Sequence, residues 1–248
     1  MHRFHLPPES CRGDLLRMDG REAHHALHVL RLKPGDAADV LDGAGNQFHC
    51  QVENTGKNFL TLVVKEKNFT PAPPCPVSLF VAVPKGRLIE AIIQKAVELG
   101  ANRVVPLITE RVVTHLDEEG AEHKREKWQQ VAIEAIKQCG AVWLPRVELP
   151  VPLNEFLGRG NLPELTLVGS LQTERRHPRK VFKDFQSRHG RKPAGVGVWI
   201  GPEGDFTLTE LRAIEAAGAA PVTLGNLTLR VETAAIYCLS LLRYELSA

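Results

Sequence analysis

From Val77 onward, short apolar runs alternate with amphipathic ones. VSLFVAV is followed by GRLIEAIIQKAVELG, RVVPLI by KREKWQQVAIEAIKQCG, LTLVGS by PRKVFKDFQSRHG, GVGVWIG by LTELRAIEAAG, and APVTLG by ETAAIYCLSLLRYEL. Uninterrupted apolar runs of this length suit strands buried on both faces, and the 3.6-residue periodicity between them suits helices that cover such strands. The alternation predicts an α/β fold with a mostly parallel sheet. Ahead of it, AADVLD, QFHCQVE and NFLTLVVKE are separated by the turn signals LKPGD, DGAGN and NTGKN, the rhythm of a meandering antiparallel barrel, with a helical patch at Glu22 to Leu32. Between the two patterns FTPAPPCP, Phe69 to Pro76, holds four prolines and suits neither helix nor central strand. The expected division is a β-rich unit over 1–70, a linker over 71–76 and an α/β unit over 77–248.

Two helices carry further marks. Thr207 and Glu210 form a T-x-x-E capping box, and Gly218 is placed to end that helix. The last helix, Glu232 to Leu246, shows little polar face beyond Arg243 and Glu245, so it is expected inside a large core or at a subunit interface.

Composition narrows the class. With 248 residues, 43% of them hydrophobic, the chain can bury one good core and a smaller second one. No apolar run approaches the roughly 20 residues that cross a bilayer, and MHRFHLPPES lacks the apolar centre of a signal peptide, so a cytoplasmic protein without a membrane partner is expected. Cys11, Cys50, Cys75, Cys139 and Cys238 are odd in number, scattered and never in CxxC spacing, which reads as reduced thiols. The net charge of +2 says little, but Gln172 to Lys192 carries eight Lys or Arg against Glu174 and Asp184. Such a stretch is either a phosphate-docking patch or a solvated helix face followed by a loop.

Three glycine-bearing loops follow late strands: Gly169 after LTLV, Gly201 to Gly204 after VGVWI, and Gly225 to Arg230 after PVTL. In an open α/β sheet the ligand crevice lies past the carboxyl ends of the strands, and glycine there lets main chain approach a ligand closely. These are either ordinary βα turns or the walls of one pocket. G-x-G-x-x-G and the P-loop signature are absent, which argues against NAD or a nucleoside triphosphate held by its phosphates and leaves an adenosine compound without phosphates open. G-x-S-x-G is absent as well, which disfavours an α/β hydrolase. Arg230 and Glu232 stand two apart where a loop enters a buried helix, a costly place for ionic groups unless they bind each other or a substrate. His24 and His28 imitate an i, i+4 metal pair, but with no third ligand nearby and no HExxH, a surface or RNA-facing histidine cluster is favoured and no metal is expected.

WIGPEGDFTLTEL followed by LGNLTLRVETAA resembles the paired C-terminal motifs of SPOUT-class RNA methyltransferases, most closely the ribosomal RNA small subunit methyltransferase E family. HHALHVLRLKPGD with VLDGAG resembles that family's N-terminal PUA-like RNA-binding barrel, and KGRLIEAIIQKAVELGANRVVPLITER its first βαβ signature. The resemblance implies a trefoil-knotted methyltransferase domain, S-adenosylmethionine bound in the knot loops, a homodimer, and methylation of uridine N3 in 16S rRNA, free or within the small ribosomal subunit. Carried over by position, the donor pocket would include Leu167, Gly169, Ile200, Gly201, Glu203, Gly204, Leu224, Gly225, Leu229 and Arg230. In one departure, Ala141 stands where many members carry arginine, with Arg146 nearby as a substitute.

Under this reading Arg230 would stabilise the anion left when N3 loses its proton, with Glu232 or Glu203 as proton acceptor or orienting carboxylate. Arg21, His25, Arg31 and Lys33 of the first unit and Arg175, Arg176 and Arg179 of the second would touch RNA. The alternative is an RNA-binding ribosome-assembly factor of the same fold without turnover.

Overall fold

The computed structural model describes residues 2–112, 118–171 and 175–247. Contacts divide the chain into two units, one of residues up to Ala72 together with Ile133–Leu144, the other of Pro73–Ala132 with Pro145–Ala248.

The first unit is a five-stranded sheet of β1 (His2–His5), β2 (Leu15–Asp19), β3 (Ala37–Leu41), β4 (Asn46–Thr55) and β5 (Phe59–Phe69), in the order β1-β3-β4-β5-β2. The expected meander is β3-β4-β5. The sequence pattern did not signal β1 and β2: β1 runs parallel to β3 and β2 antiparallel to β5, closing the ladder at both ends. Register shifts at His49/Cys50 and Val52/Asn54 leave one extra residue in β5, Lys65, and one in β4, Glu53, and such bulges bend a strand and increase its twist. Alternate residues such as Phe48, Cys50 and Val52 therefore face one core, shared with Phe4, Leu16, Met18, Leu60 and Leu62.

The expected helical patch is two short pieces, α1 (Gly20–His24) and a π-turn over His25–Val29, in which Leu30 N–H donates to His25 O at 3.0 Å. Arg31 follows with a left-handed φ of 56°, which ends the helix.

Ile133–Leu144 contributes a buried charge to this unit. Lys137 Nζ donates to Glu22 Oε1 at 2.7 Å, and both side chains are largely buried. Arg3 lies over Gly140 and donates to the carbonyls of Lys137 at 3.3 Å and Gln138 at 3.1 Å, placing a cation on the last turn of a helix. Ala141, where the family resemblance leads one to expect arginine, sits just beyond this capped end.

The second unit is a parallel sheet of seven strands. Its main path is β12 (Ala219–Val222), β10 (Leu165–Gly169), β11 (Val196–Ile200), β6 (Val77–Ala82), β7 (Arg103–Ile108) and β8 (Arg146–Val147), and β9 (Val151–Pro152) also pairs with β7. The predicted helices appear as α2 (Leu88–Glu98), α3 (Glu118–Cys139, of which the part from Ile133 belongs to the first unit), α5 (Pro178–His189), α6 (Leu208–Ala216) and α7 (Val231–Ser247). The added α4 (Leu153–Gly158) was not anticipated; it buries Leu153 and Phe156. Phe80, Phe156 and Trp199 form an aromatic cluster with centroids 4.4 to 5.8 Å apart, and the Trp199 Nε1–H within it has no hydrogen-bond partner among the described residues.

The capping box forms as the sequence suggests. Glu210 N–H donates to Thr207 Oγ1 at 3.2 Å and Thr207 N–H to Glu210 Oε2 at 2.9 Å. Glu210 does more: its Oε1 accepts the Glu110 N–H at 2.8 Å, which joins α6 to the segment after β7.

All five cysteines are free. Burial pushes the thiols of Cys11, Cys50 and Cys238 up to about 12, whereas Cys139 is exposed. Because the folded state holds these protons more tightly than the unfolded chain, their contribution to stability is complete below about pH 9 and is lost as pH rises toward 12. At pH 8 a thiol reagent is expected to label Cys139 rapidly in the native protein and Cys11, Cys50 and Cys238 only after denaturant is added, as mass mapping would read. Thr207→Ala is expected to lower unfolding free energy in urea by about 1 kcal/mol through loss of the cap.

Candidate active site

Parallel pairing brings the glycine loops to one edge. Leu167 lies opposite Val198 and Val168 opposite Trp199, while Gly169 lies opposite Val222 on the other side of β10. The segments after β10, β11 and β12 therefore leave the sheet side by side, at its carboxyl edge.

They enclose a cleft of about 580 Å³, counting its open mouth. Of the residues assigned to a donor pocket by resemblance, Gly169, Ile200, Gly201, Glu203, Leu224, Gly225 and Leu229 line it. Leu167, Gly204 and Arg230 do not. Leu167 is buried within β10, Gly204 lies against the Arg111 side chain, and Arg230 is exposed just before α7.

At the glycines the wall is main chain for a steric reason. A Cβ on Gly169 would lie 3.2 Å from Leu224 Cδ1, and one on Gly201 would lie 3.0 Å from the Phe206 nitrogen and 3.1 Å from Asp205 Oδ1. Gly225 has φ of +110°, a region that side chains rarely tolerate. Sequence reasoning passed over Ser170, Leu171, Asp205, Leu227, Thr228 and Ala234, which also line the cleft. Their only signal was adjacency to the glycines, which does not tell which neighbours turn inward.

The polar groups are few. Glu203 is exposed, and its Oε1 accepts the Lys85 N–H at 3.1 Å, so one carboxylate oxygen is already engaged by the turn after β6. Arg175 lines the cleft and donates to the Ser170 carbonyl at 3.3 Å. Arg111 donates to the carbonyls of Gly204 and Asp205, holding the GPEGD loop from outside.

The expectation that Arg230 and Glu232 stand at a desolvated junction needs correction. Arg230 is exposed, Glu232 is half-buried in the first turn of α7, and among the described residues no ion pair joins them. Water solvates Arg230, so burial cost does not explain its presence. Nor is α7 buried all round: Val231, Ala235, Cys238, Leu239 and Leu242 face the core, but Tyr237 and Tyr244 are 47% and 66% exposed. Cys238, held as a neutral thiol by burial, is a packing residue.

The residues expected to meet RNA fall in both units. In the first, Arg21, Arg31 and Lys33 are exposed, while His25 is half-buried and edge-on to Phe4. Arg21 lies 3.5 Å from Glu134. In the second, Arg175 reaches the cleft, Arg176 pairs with Asp184 at 3.3 Å and Arg179 with Glu245 at 3.5 Å. Such exposed pairs are weak and exchange readily for phosphate. Gln172 and Glu174, counted in the basic stretch, lie outside the described residues. His24 and His28 have ring centroids 4.8 Å apart, and among the described residues no group of three or more His, Cys, Asp or Glu is arranged to hold a metal. No helix among them is long and apolar enough to cross a membrane.

The chain matches the family model of an RNA methyltransferase domain over residues 71–243 and that of an RNA methyltransferase PUA domain over residues 18–65. It is 33% identical to the ribosomal RNA small subunit methyltransferase E of a Synechocystis strain, covering 94% of this chain and 74% of the relative. With the enzyme of the same name from Bacillus subtilis it is 31% identical, over 91% and 88% of the two chains. A Legionella pneumophila protein assigned as a methyltransferase and solved with the cofactor SAM superposes with a TM-score of 0.86 at 30% identity, covering 98% and 97%. The ribosomal RNA small subunit methyltransferase E of Neisseria gonorrhoeae, solved with S-adenosyl methionine bound, gives 0.85 at 25% identity, covering 99% and 98%.

Gly225→Ala adds a methyl that meets no atom within 4 Å, so its effect is one of backbone strain alone. Urea denaturation is expected to show a loss of about 1–3 kcal/mol, with a smaller loss for Gly225→Asn.

Proposed function

Because this chain belongs to the ribosomal RNA small subunit methyltransferase E family, we propose that it transfers a methyl group from S-adenosylmethionine to N3 of a uridine in 16S rRNA. The observation that carries the reading is the convergence of Gly169, Gly201 and Gly225 on one cleft. The fit to the donor is steric and chemical. Three glycine-bearing segments bring main chain to the cleft, where it could read an adenine edge or a ribose, and Leu224, Leu229 and Ile200 supply apolar surface for the ring. Gly201 and Glu203 would hold the donor with them, and Leu167, Gly204 and Arg230 would contribute from behind or beside the walls.

When bound, S-adenosylmethionine supplies an electrophilic methyl group on a sulfonium. The chain's residues have three tasks: to align the base, to exclude water and to manage one proton. Uridine N3 carries its proton between two carbonyls, and the anion left behind needs a positive neighbour. Arg230, exposed and without an acidic partner at Glu232, is free to turn toward that charge. Glu232, half-buried at the helix start, is assigned to hold the proton. Glu203 keeps one oxygen on the Lys85 N–H, which suits an orienting carboxylate. N3 lies on the Watson–Crick edge, so the target is a single-stranded or extruded uridine. Arg21, His25, Arg31 and Lys33 with Arg175, Arg176 and Arg179 would bind the surrounding RNA.

The same reading includes a trefoil knot in the methyltransferase domain, a boundary between RNA-binding and catalytic domains at 71–76, a cytoplasmic location and a homodimer. The exposed face of α7 supports the last: Tyr237, Ser240 and Tyr244 border an open groove with His177 and Arg179. A second copy seated there would cover the aromatic surface.

Incubation of the protein and labelled S-adenosylmethionine with 16S rRNA and with small subunits, followed by nucleoside mass analysis, is expected to yield N3-methyluridine. RNA binding without label transfer would favour the assembly-factor alternative. Glu232→Ala is expected to keep donor affinity within about twofold, and Arg230→Ala and Glu232→Ala are each expected to slow transfer by about a hundredfold or more, measured as single-turnover rate at saturating donor.

A further inference from the structure

Asp205 adopts a left-handed φ of 63°, one of two such values among the described non-glycine residues. This conformation is uncommon for a side-chain-bearing residue and is tolerated best by Asn and Asp, which can bond locally. The local bond is present: Asp205 Oδ1 accepts the Phe206 N–H at 2.8 Å. The other oxygen reaches across the cleft wall, where Oδ2 accepts the Leu171 N–H at 3.1 Å. One carboxylate thus joins the loop after β11 to the loop after β10, and both loops line the cleft.

The neighbours reinforce the tie. Arg111 donates to the carbonyls of Gly204 and Asp205, so the peptide groups on both sides of the strained residue are held from outside. Gly201 completes the arrangement, because a Cβ there would approach Asp205 Oδ1 to 3.1 Å. The carboxylate occupies the space that the missing side chain leaves.

We infer that Asp205 is a positioning residue that sets the spacing of the two glycine loops and so shapes the donor pocket before the donor arrives. This rests on the donor reading given above. One charge-assisted bond, to the Leu171 N–H, spans the gap while the bond to the Phe206 N–H fixes the carboxylate's orientation, and preorganisation of this kind lowers the ordering cost of binding.

Asp205→Gly separates this role from one in stability, because glycine accepts the left-handed conformation without strain yet removes the tie. In the full-length protein, Asp205→Gly is expected to leave Tm unchanged or raised, to weaken S-adenosylmethionine and S-adenosylhomocysteine binding about tenfold by calorimetry, and to speed amide exchange at Leu171. Asp205→Asn, with one acceptor oxygen, is expected to recover part of the affinity. Unchanged donor affinity in Asp205→Gly, or unchanged Leu171 exchange, would overturn the inference. A fall in Tm with donor affinity retained would do the same, since it marks a purely structural residue. If the wild-type protein binds no donor, the proposed reaction fails. Leu171 exchange still judges the tie in that case, with faster exchange in Asp205→Gly supporting it and equal exchange overturning it.

Discussion

The parallel register of β10 with β11 and β12 is the constraint on which the candidate site depends. Evenly spaced, in-register pairing ends neighbouring strands at one edge, so three segments distant in sequence emerge side by side without side chains having to draw them together. Glycines in those segments then let main chain form part of the wall. The pocket is a product of sheet geometry first and of side-chain chemistry second, which is why few polar side chains line it. It is also why a single carboxylate that adjusts the distance between two walls carries weight.

Much of this was legible in the sequence for physical reasons. Buried strands such as VSLFVAV and VGVWI cannot show alternation, yet their shortness, apolar continuity and alternation with amphipathic stretches identify a parallel sheet. The capping box at Thr207 was legible because both partners lie within one helical turn. The glycine loops were visible as strand-terminal punctuation, and the family resemblance joined them into one site.

What escaped was long-range. Strand β1 is four residues that pair only because β3 lies beside them, and α4 is too short for periodicity to register. The exposure of Arg230 was misjudged because the apolar run after it implied a desolvated junction, whereas the helix buries one face and leaves the other open. Asp205 was visible as a carboxylate just past the GPEG turn, but its role was not, because a backbone dihedral is invisible in sequence and its partner, Leu171, lies 34 positions away. Contacts of that separation become visible only with coordinates.

The grouping of Ile133–Leu144 with the N-terminal residues bears on how the chain can be taken apart. A proline-rich joint suggests a modular gene that can be cut after Ala72, but the module so released would lose Lys137, whose ammonium neutralises the largely buried Glu22. It would also lose the helix end that Arg3 caps. The N-terminal unit is therefore not a cassette: grafting it onto another protein, or inheriting it by simple fusion, would require carrying along twelve residues encoded within its neighbour.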